Sequence, residues 1–342
     1  MTKICLGTSR FPKLESSSIC LGVFDGVHLG HAAILKHAIK KSKQANIPSA
    51  VITFDPNPIT ILKSSGRHSS LMSLSSRIAH LSSFGFDYVL VIKFTPTFAK
   101  LSALDFLNQL LHKRLGVKSI SVGNNFRFGH KAKGDAAFLT NWCQATRIAL
   151  HTSKSVKRNK IVISSTRIKK EIEAGFILSA NRLLGKAFGL KALVIRGRGQ
   201  GKRLGIRTAN IDIAPFVRPK QGVYAGLAVV NDLKYLAAIQ MGDKLTHGIK
   251  GHYCEAHIIG LNKDIYGQEI CIFPIKYLRV NKRFGQEPDL IAQILKDIES
   301  TKLYFNKQIR YTGQLNQIDK TLDCDERLTE KSSKKGSQNS CL

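Results

Sequence analysis

An apolar run, Ile19-Cys-Leu-Gly-Val-Phe24, breaks at Asp25-Gly-Val-His-Leu-Gly30 and gives way to Ala32-Ala-Ile-Leu-Lys-His-Ala-Ile39. The first segment reads as a buried strand and the last as a helix, so His28 and His31 fall on a glycine-broken turn between them. A strand that feeds directly into a helix belongs to a parallel sheet with covered faces. Such a turn also suits an anion, which backbone N–H groups and the positive end of the helix attract. Gly22, Gly26 and Gly30 let the backbone come close to that anion. Two imidazoles beside it can donate hydrogen bonds to a phosphorane-like transition state. The competing reading, a glycine-rich turn with two ordinary histidines, is weakened by the preceding Phe24-Asp25.

The same alternation fills about the first 180 residues. Ala50–Phe54, Tyr88–Ile92 and Ile120–Val122 read as strands, and Ser75–Phe84 and Ser102–Leu115 as helices. Proline at 56 and 58 predicts that no regular element forms there. Lys160–Ile163 leads into a capped helix, Ser164–Glu173. These segments predict an α/β fold with a parallel sheet, whose ligands sit at the carboxyl ends of strands. After Leu184-Gly185 the pattern changes to short β segments with glycine turns: 192–196, 222–230, 235–240, 256–259 and 270–275. These predict a compact antiparallel barrel, closed by one helix over 288–298. The expected division is 1–184, 185–305 and a polar tail over 306–342, disordered at its end.

Composition narrows the function classes. No apolar run approaches the ~18–20 residues of a membrane span, and the first residues lack a signal-peptide pattern. Seven scattered cysteines without a Cys-x-x-Cys pair predict a reducing, cytoplasmic setting and no structural zinc. Lys and Arg number 53 against 23 Asp and Glu, a net charge of +30. That surplus admits a nucleic-acid reading. It is diffuse, however, and clusters such as Lys154–Lys160 lack interleaved aromatics. A general lysine bias is therefore preferred, with no membrane partner and nucleic acid disfavoured.

Four N-terminal motifs occur together: GVFDGVHLGH (22–31), TFDPNP (53–58), VGNNFRFG (122–129) and ISSTRIK (163–169). The second half carries GRGQGKRLGIRTANI (197–211), GVYAG (222–226), Glu255-Ala-His257 and Asp264-Ile-Tyr-Gly267. In this order the motifs resemble those of the bacterial bifunctional riboflavin kinase / FAD synthetase family, over about residues 5–300. The resemblance implies a Rossmann-like nucleotidyltransferase domain followed by a six-stranded-type riboflavin kinase barrel. It implies ATP-dependent phosphorylation of riboflavin to FMN and adenylylation of FMN to FAD, with Mg²⁺ as cofactor and a monomer or weak homo-oligomer.

Under that resemblance, His28 and His31 would act at the α-phosphate, on a loop shaped by Gly22, Phe24, Asp25, Gly26 and Gly30. Ser164, Ser165, Thr166 and Lys169 would hold the outer phosphates; a plain helix N-cap is the alternative for the Ser-Ser-Thr run. Asn57, Asn125 and Arg127 would face the flavin nucleotide. Phe126 and Phe128 read equally well as core. In the kinase half Glu255 would be the general base, Gly197, Gly201 and Lys202 would wrap phosphates, and Thr208 and Asn210 would hold Mg²⁺.

The chain departs from the family pattern at several places. Ile206-Arg207 stands where Phe-Pro is usual, and Gln240-Met-Gly242 and Leu245-Thr246 replace an Asn-x-Gly…Pro-Thr region. Asn57 replaces a His, Asn125 an Asp and Lys169 an Arg. The kinase-side changes are the larger. Two alternatives follow: a FAD synthetase with a weakened kinase half, and a basic RNA-binding protein on the same fold.

Overall fold

The computed structural model describes residues 1–62, 68–197, 205–246 and 249–312. The chain divides into two compact units, one of Met1–His68 and Leu74–Ser164, the other of Ser69–Ser73 and Ser165 onward. The sequence expectation of disorder at 332–340 lies outside the described residues.

The first unit is a six-stranded parallel sheet. Its strands are β1 (Lys3–Leu6), β2 (Ser17–Leu21), β3 (Ser49–Asp55), β4 (Tyr88–Lys93), β5 (Val117–Gly123) and β6 (Ala149–Ser153), in the order β1-β4-β3-β2-β5-β6. Alternation along the strands sorts two faces. Ile19, Leu21, Ile52, Phe54, Leu90 and Ile120 enter one core with Phe106, Leu111 and Trp142. On β2 the intervening residue Ser18 donates through Oγ to the carbonyl of Ala38, 3.0 Å away on helix α1 (Leu29–Ala45). The chain leaves β2 for β3 on one side and returns to β5 on the other, so the carboxyl end of β2 lies at a topological switch point.

Three short features differ from the sequence expectation. A helix, α2 (Pro58–Leu62), begins at the second proline, because Pro at a first helical position gives up no intrahelical hydrogen bond. The segment after Ser102 starts as a single α turn, then widens to a π-helix over Phe106–Arg114. There Asn108 accepts the Trp142 indole N–H at 2.9 Å, from helix α4 (Ala136–Thr146), which follows α3 (Leu74–Ser82) in helix order. Lys157–Arg158 (β7) and Ile161–Val162 (β8) form a separate hairpin, so ISSTRIK follows this hairpin rather than a strand of the main sheet.

The second unit opens with α5 (Ser165–Glu173) and α6 (Ile177–Leu184). A closed barrel follows: β9 (Leu190–Ile195), β10 (Ala209–Ile211), β11 (Gly222–Val230), β12 (Leu233–Thr246), β13 (Ile249–Ile258) and β14 (Glu269–Arg279), in the order β10-β13-β12-β11-β14-β9. All its pairings are antiparallel. In GVYAG the glycines are required by packing: a Cβ on Gly226 would stand 2.3 Å from the Phe273 carbonyl oxygen. The closing helix α7 (Glu287–Thr312) outlasts the expected 288–298. Asp297, Thr301 and Phe305 recur every four residues and are buried on one face, which carries the helix on through a polar sequence. The excursion Ser69–Ser73 belongs to this unit. Ser70 N–H donates to the Pro215 carbonyl at 3.0 Å and its carbonyl accepts from Val217 at 2.9 Å.

Candidate functional site

The turn after β2 is built around Phe24. Its ring is buried, and its backbone adopts φ 54°, in the left-handed region that favours glycine. A Cβ on Gly22 would lie 2.8 Å from Phe24 Cζ, so Gly22 exists to admit that ring. Phe24 in turn meets the His31 ring edge to face at 5.2 Å. His31 stacks on His28, with centroids 3.6 Å apart and planes 14° apart.

His28 is also the N-cap of α1, its Nδ1 accepting the His31 backbone N–H at 3.2 Å. That bond leaves the ring proton on Nε2, the one ring position from which neutral His28 can donate. His28 is buried and His31 half-buried. A Cβ on Gly30 would meet the His28 ring at 3.1 Å and the Ile163 carbonyl oxygen at 3.5 Å. The residue before Ser164 therefore lies against the histidine turn. Asp25, buried in the same loop, interacts electrostatically with Arg77.

The other N-terminal candidates are more open. Asn57 follows β3 and its carbonyl accepts the Thr60 N–H at 2.8 Å. Asn125 is exposed beyond β5. Arg127 is exposed and 3.4 Å from Asp135, the residue that caps α4. Phe128 is core, and half-buried Phe126 stacks on it at 5.5 Å. Ser164 closes the first unit, whereas Ser165, Thr166 and Lys169 belong to α5 in the second. Lys169 Nζ donates to the Ser69 carbonyl at 2.6 Å.

In the barrel, Asn210 on β10 and Glu255 on β13 are register partners. Asn210 is buried and Glu255 half-buried. Gly197 lies against the Asn210 amide, and Thr208 immediately precedes β10. Gly201 and Lys202 lie outside the described residues. Ile206 is buried where the family pattern has Phe. Arg207 has no proline ring to stiffen it, yet its carbonyl oxygen lies 2.8 Å from His257 Nδ1, which must be the protonated nitrogen. Arg207 Nη1 reaches the Asn262 carbonyl at 3.4 Å. The turn before Thr208 is thus held by hydrogen bonds. A cavity of about 310 Å³ opens here, lined by Thr208, Asn210, Ile258, Lys263 and Tyr266 among others.

A family model described as FAD synthetase matches residues 11–167, and one described as riboflavin kinase matches residues 184–305. A bifunctional riboflavin kinase/FMN adenylyltransferase of Buchnera aphidicola subsp. Schizaphis graminum is 34% identical over 309 residues, 89% of this chain and 99% of the relative. The chain belongs to the bifunctional riboflavin kinase/FMN adenylyltransferase family. Relatives of that description from Haemophilus influenzae and Escherichia coli K12 are 32% and 30% identical, covering 86% and 85% of this chain and 96% and 93% of theirs. A crystal structure described as a macrolide-efflux protein from Streptococcus pneumoniae is 26% identical, with a TM-score of 0.76 over 88% of this chain and 98% of that one. Among the described residues here, no helix is long and apolar enough to cross a membrane.

The chain is accordingly a transferase that uses ATP twice, to phosphorylate riboflavin to FMN and to adenylylate FMN to FAD. The sequence reading omitted Arg77, His257 and the cavity residues Lys263 and Tyr266 from its site. His257 and Tyr266 lie in motifs quoted from the sequence, so the signal was present; Arg77 sits in an ordinary helical pattern without one.

Proposed function

We propose that the two reactions run at separate places on the chain, FMN adenylylation at the histidine turn and riboflavin phosphorylation at the Asn210–Glu255 face of the barrel. The carrying observation is the sorting of the motif residues. His28 and His31 stack at the carboxyl end of β2 in one compact unit, and Asn210 pairs with Glu255 in the other.

In adenylylation, an oxygen of the FMN phosphate attacks the α-phosphorus of ATP, the bond to the bridging oxygen breaks, and pyrophosphate leaves. No proton need move at the reacting atoms, so the protein aligns the groups and neutralises charge. His31, and His28 through Nε2, donate to the α-phosphate oxygens. The loop of Gly22, Phe24, Asp25, Gly26 and Gly30 and the N-terminus of α1 receive the polyphosphate. Asn57, Asn125 and Arg127 face FMN. The phosphate role of Ser164, Ser165, Thr166 and Lys169 rests on their motif alone.

In phosphorylation, Glu255 takes the proton of the riboflavin 5′-hydroxyl as that oxygen attacks the γ-phosphorus and ADP leaves. Gly197, Gly201 and Lys202 hold the phosphates, and the cavity beside Thr208 receives the nucleotide. Thr208 and Asn210 offer hard oxygens that suit Mg²⁺. Bound there, Mg²⁺ would neutralise phosphate charge.

A cytoplasmic setting is supported by Cys5, Cys20, Cys143, Cys254 and Cys271, all free thiols. Burial raises Cys20 and Cys254 far above the ordinary thiol range, which leaves them protonated and inert. The chain acts as a monomer or weak homo-oligomer, which sedimentation would test. The deciding experiment supplies riboflavin or FMN with ATP and Mg²⁺ and separates the flavins by chromatography. Wild type forms FAD from FMN and FMN from riboflavin, and variants at the two places each lose one product. Equal loss of both products from a folded His31 variant would refute separate sites.

A further inference from the structure

Arg77 projects from α3 with its side chain 8% exposed. Nη1 donates to the Val23 carbonyl at 3.0 Å and Nη2 to the Phe54 carbonyl at 2.9 Å. Nη2 also lies 3.6 Å from Asp55 Oδ1. One guanidinium therefore ties the end of β2 to the end of its neighbour β3, in the two segments GVFDGVHLGH and TFDPNP.

The Val23 carbonyl adjoins Phe24, whose left-handed backbone sets the direction of the loop. Thr53 Oγ1 donates to the same carbonyl at 2.9 Å. From there contact runs through the Phe24 ring to His31 and on to His28. Asp25 and Asp55 both favour the charged guanidinium, against the burial that disfavours it. Burying an arginine is costly, and a whole buried ion pair can often be exchanged for apolar groups without loss of stability, so stability alone does not account for a guanidinium here. The directed fork, bonded to a carbonyl on the loop after β2 and to one at the end of β3, suits positioning.

We infer that Arg77 is a positioning residue for FMN adenylylation, holding the Val23 and Phe54 carbonyls so that the histidine turn presents its stacked rings in register. This rests on the assignment of adenylylation to that turn. A 1 Å misplacement of reacting groups can cost about 10²-fold in rate. An ammonium at this position keeps the charge toward Asp25 and Asp55 and has three N–H donors for the carbonyls.

The test compares Arg77→Met, Arg77→Lys and His31→Ala in the full chain, with riboflavin phosphorylation as the internal control. Arg77→Met takes the charge partner from buried Asp25, so it is expected to melt below wild type but, while folded, to phosphorylate riboflavin normally. Its kcat for FAD formation should fall about 10- to 100-fold while KM for ATP moves little. Arg77→Lys should restore most of that kcat. Wild-type kcat in Arg77→Met, equal loss of both reactions, or a Lys variant as slow as the Met variant overturns the inference. Should Arg77→Met not fold, Arg77→Gln decides. A folded, slow Gln variant with unchanged KM supports the clamp, and a wild-type rate or a second failure to fold overturns it. If His31→Ala makes FAD normally, the reading of the turn itself falls. If His31→Ala is inactive while Arg77→Met is not, only the clamp falls.

Discussion

Asn210 and Glu255 oppose each other across β10 and β13, and a Cβ on Gly197 would stand 2.1 Å from Asn210 Nδ2. Gly197 thus packs against the Asn210 amide at the place proposed for riboflavin phosphorylation. Gly197→Ala is expected to displace the Asn210 amide and slow FMN formation at least tenfold, because small displacements of aligned groups are expensive. FAD formation from supplied FMN should hold its rate, as flavin chromatography would report.

Glu255→Gln keeps the size of the side chain but removes the proton acceptor that the proposed function assigns to it. General-base loss commonly costs about 10²–10⁴-fold, and that drop is expected in kcat for riboflavin, not in adenylylation. A riboflavin rate unchanged by the substitution would remove Glu255 from this role.

His31→Ala removes one ring of the His28–His31 stack and, under the proposed function, a donor to the α-phosphate. FAD formation should fall about 10²–10³-fold with FMN formation intact. His28→Ala should do the same and in addition lower stability by about 1 kcal/mol through loss of the α1 cap, visible as a lower urea midpoint that His31→Ala does not share.

Arg279 and Asp297 form a bidentate pair, with Nε to Oδ1 at 2.8 Å and Nη2 to Oδ2 at 2.6 Å, and Gln293 adds a bond to Oδ1 at 3.0 Å. Both side chains are largely withdrawn from solvent. Asp297→Ala strands the guanidinium and is expected to cost about 3 kcal/mol. The double substitution Arg279→Met with Asp297→Leu should recover most of that loss, a difference that denaturant melts would measure.

His37 and His151 stack at 3.5 Å, with His37 Nδ1 3.1 Å from Ser121 Oγ. Burial first, then His151, Lys41 and Lys40, hold the His37 pKa below its ordinary 6.5. The folded chain consequently binds fewer protons than the unfolded one below that pH. Stability is complete above about pH 6.5 and declines as pH falls through the lowered folded value. Urea melts of wild type should weaken between pH 7.5 and pH 5.5, and His37→Gln should flatten that dependence.

The alternating β and helical segments were legible because burial leaves a period in the sequence: β2, β3 and β4 are apolar runs with turns at their ends. Elements without such a period were not. β1 has four residues, mostly exposed at a sheet edge, and β10 has three. The end of α7 was obscured because its buried stripe includes Asp297 and Thr301, which look solvent-facing until their partners are known. Within the site, the histidine turn could be read because its glycines and imidazoles are adjacent in sequence. Arg77 could not, since its bonds reach main-chain oxygens 54 and 23 residues away, and carbonyls carry no sequence signature.

The short loan of Ser69–Ser73 to the second unit makes the polypeptide change allegiance three times, not once. No single cut can then yield two whole pieces. A break after the first strands orphans that loan, and a break near Ser164 leaves it attached to the wrong fragment. A fragment that begins at Ser165 would lack Ser70 and with it the two main-chain hydrogen bonds to Pro215 and Val217, so a strand-like partner would have to be supplied from outside the fragment.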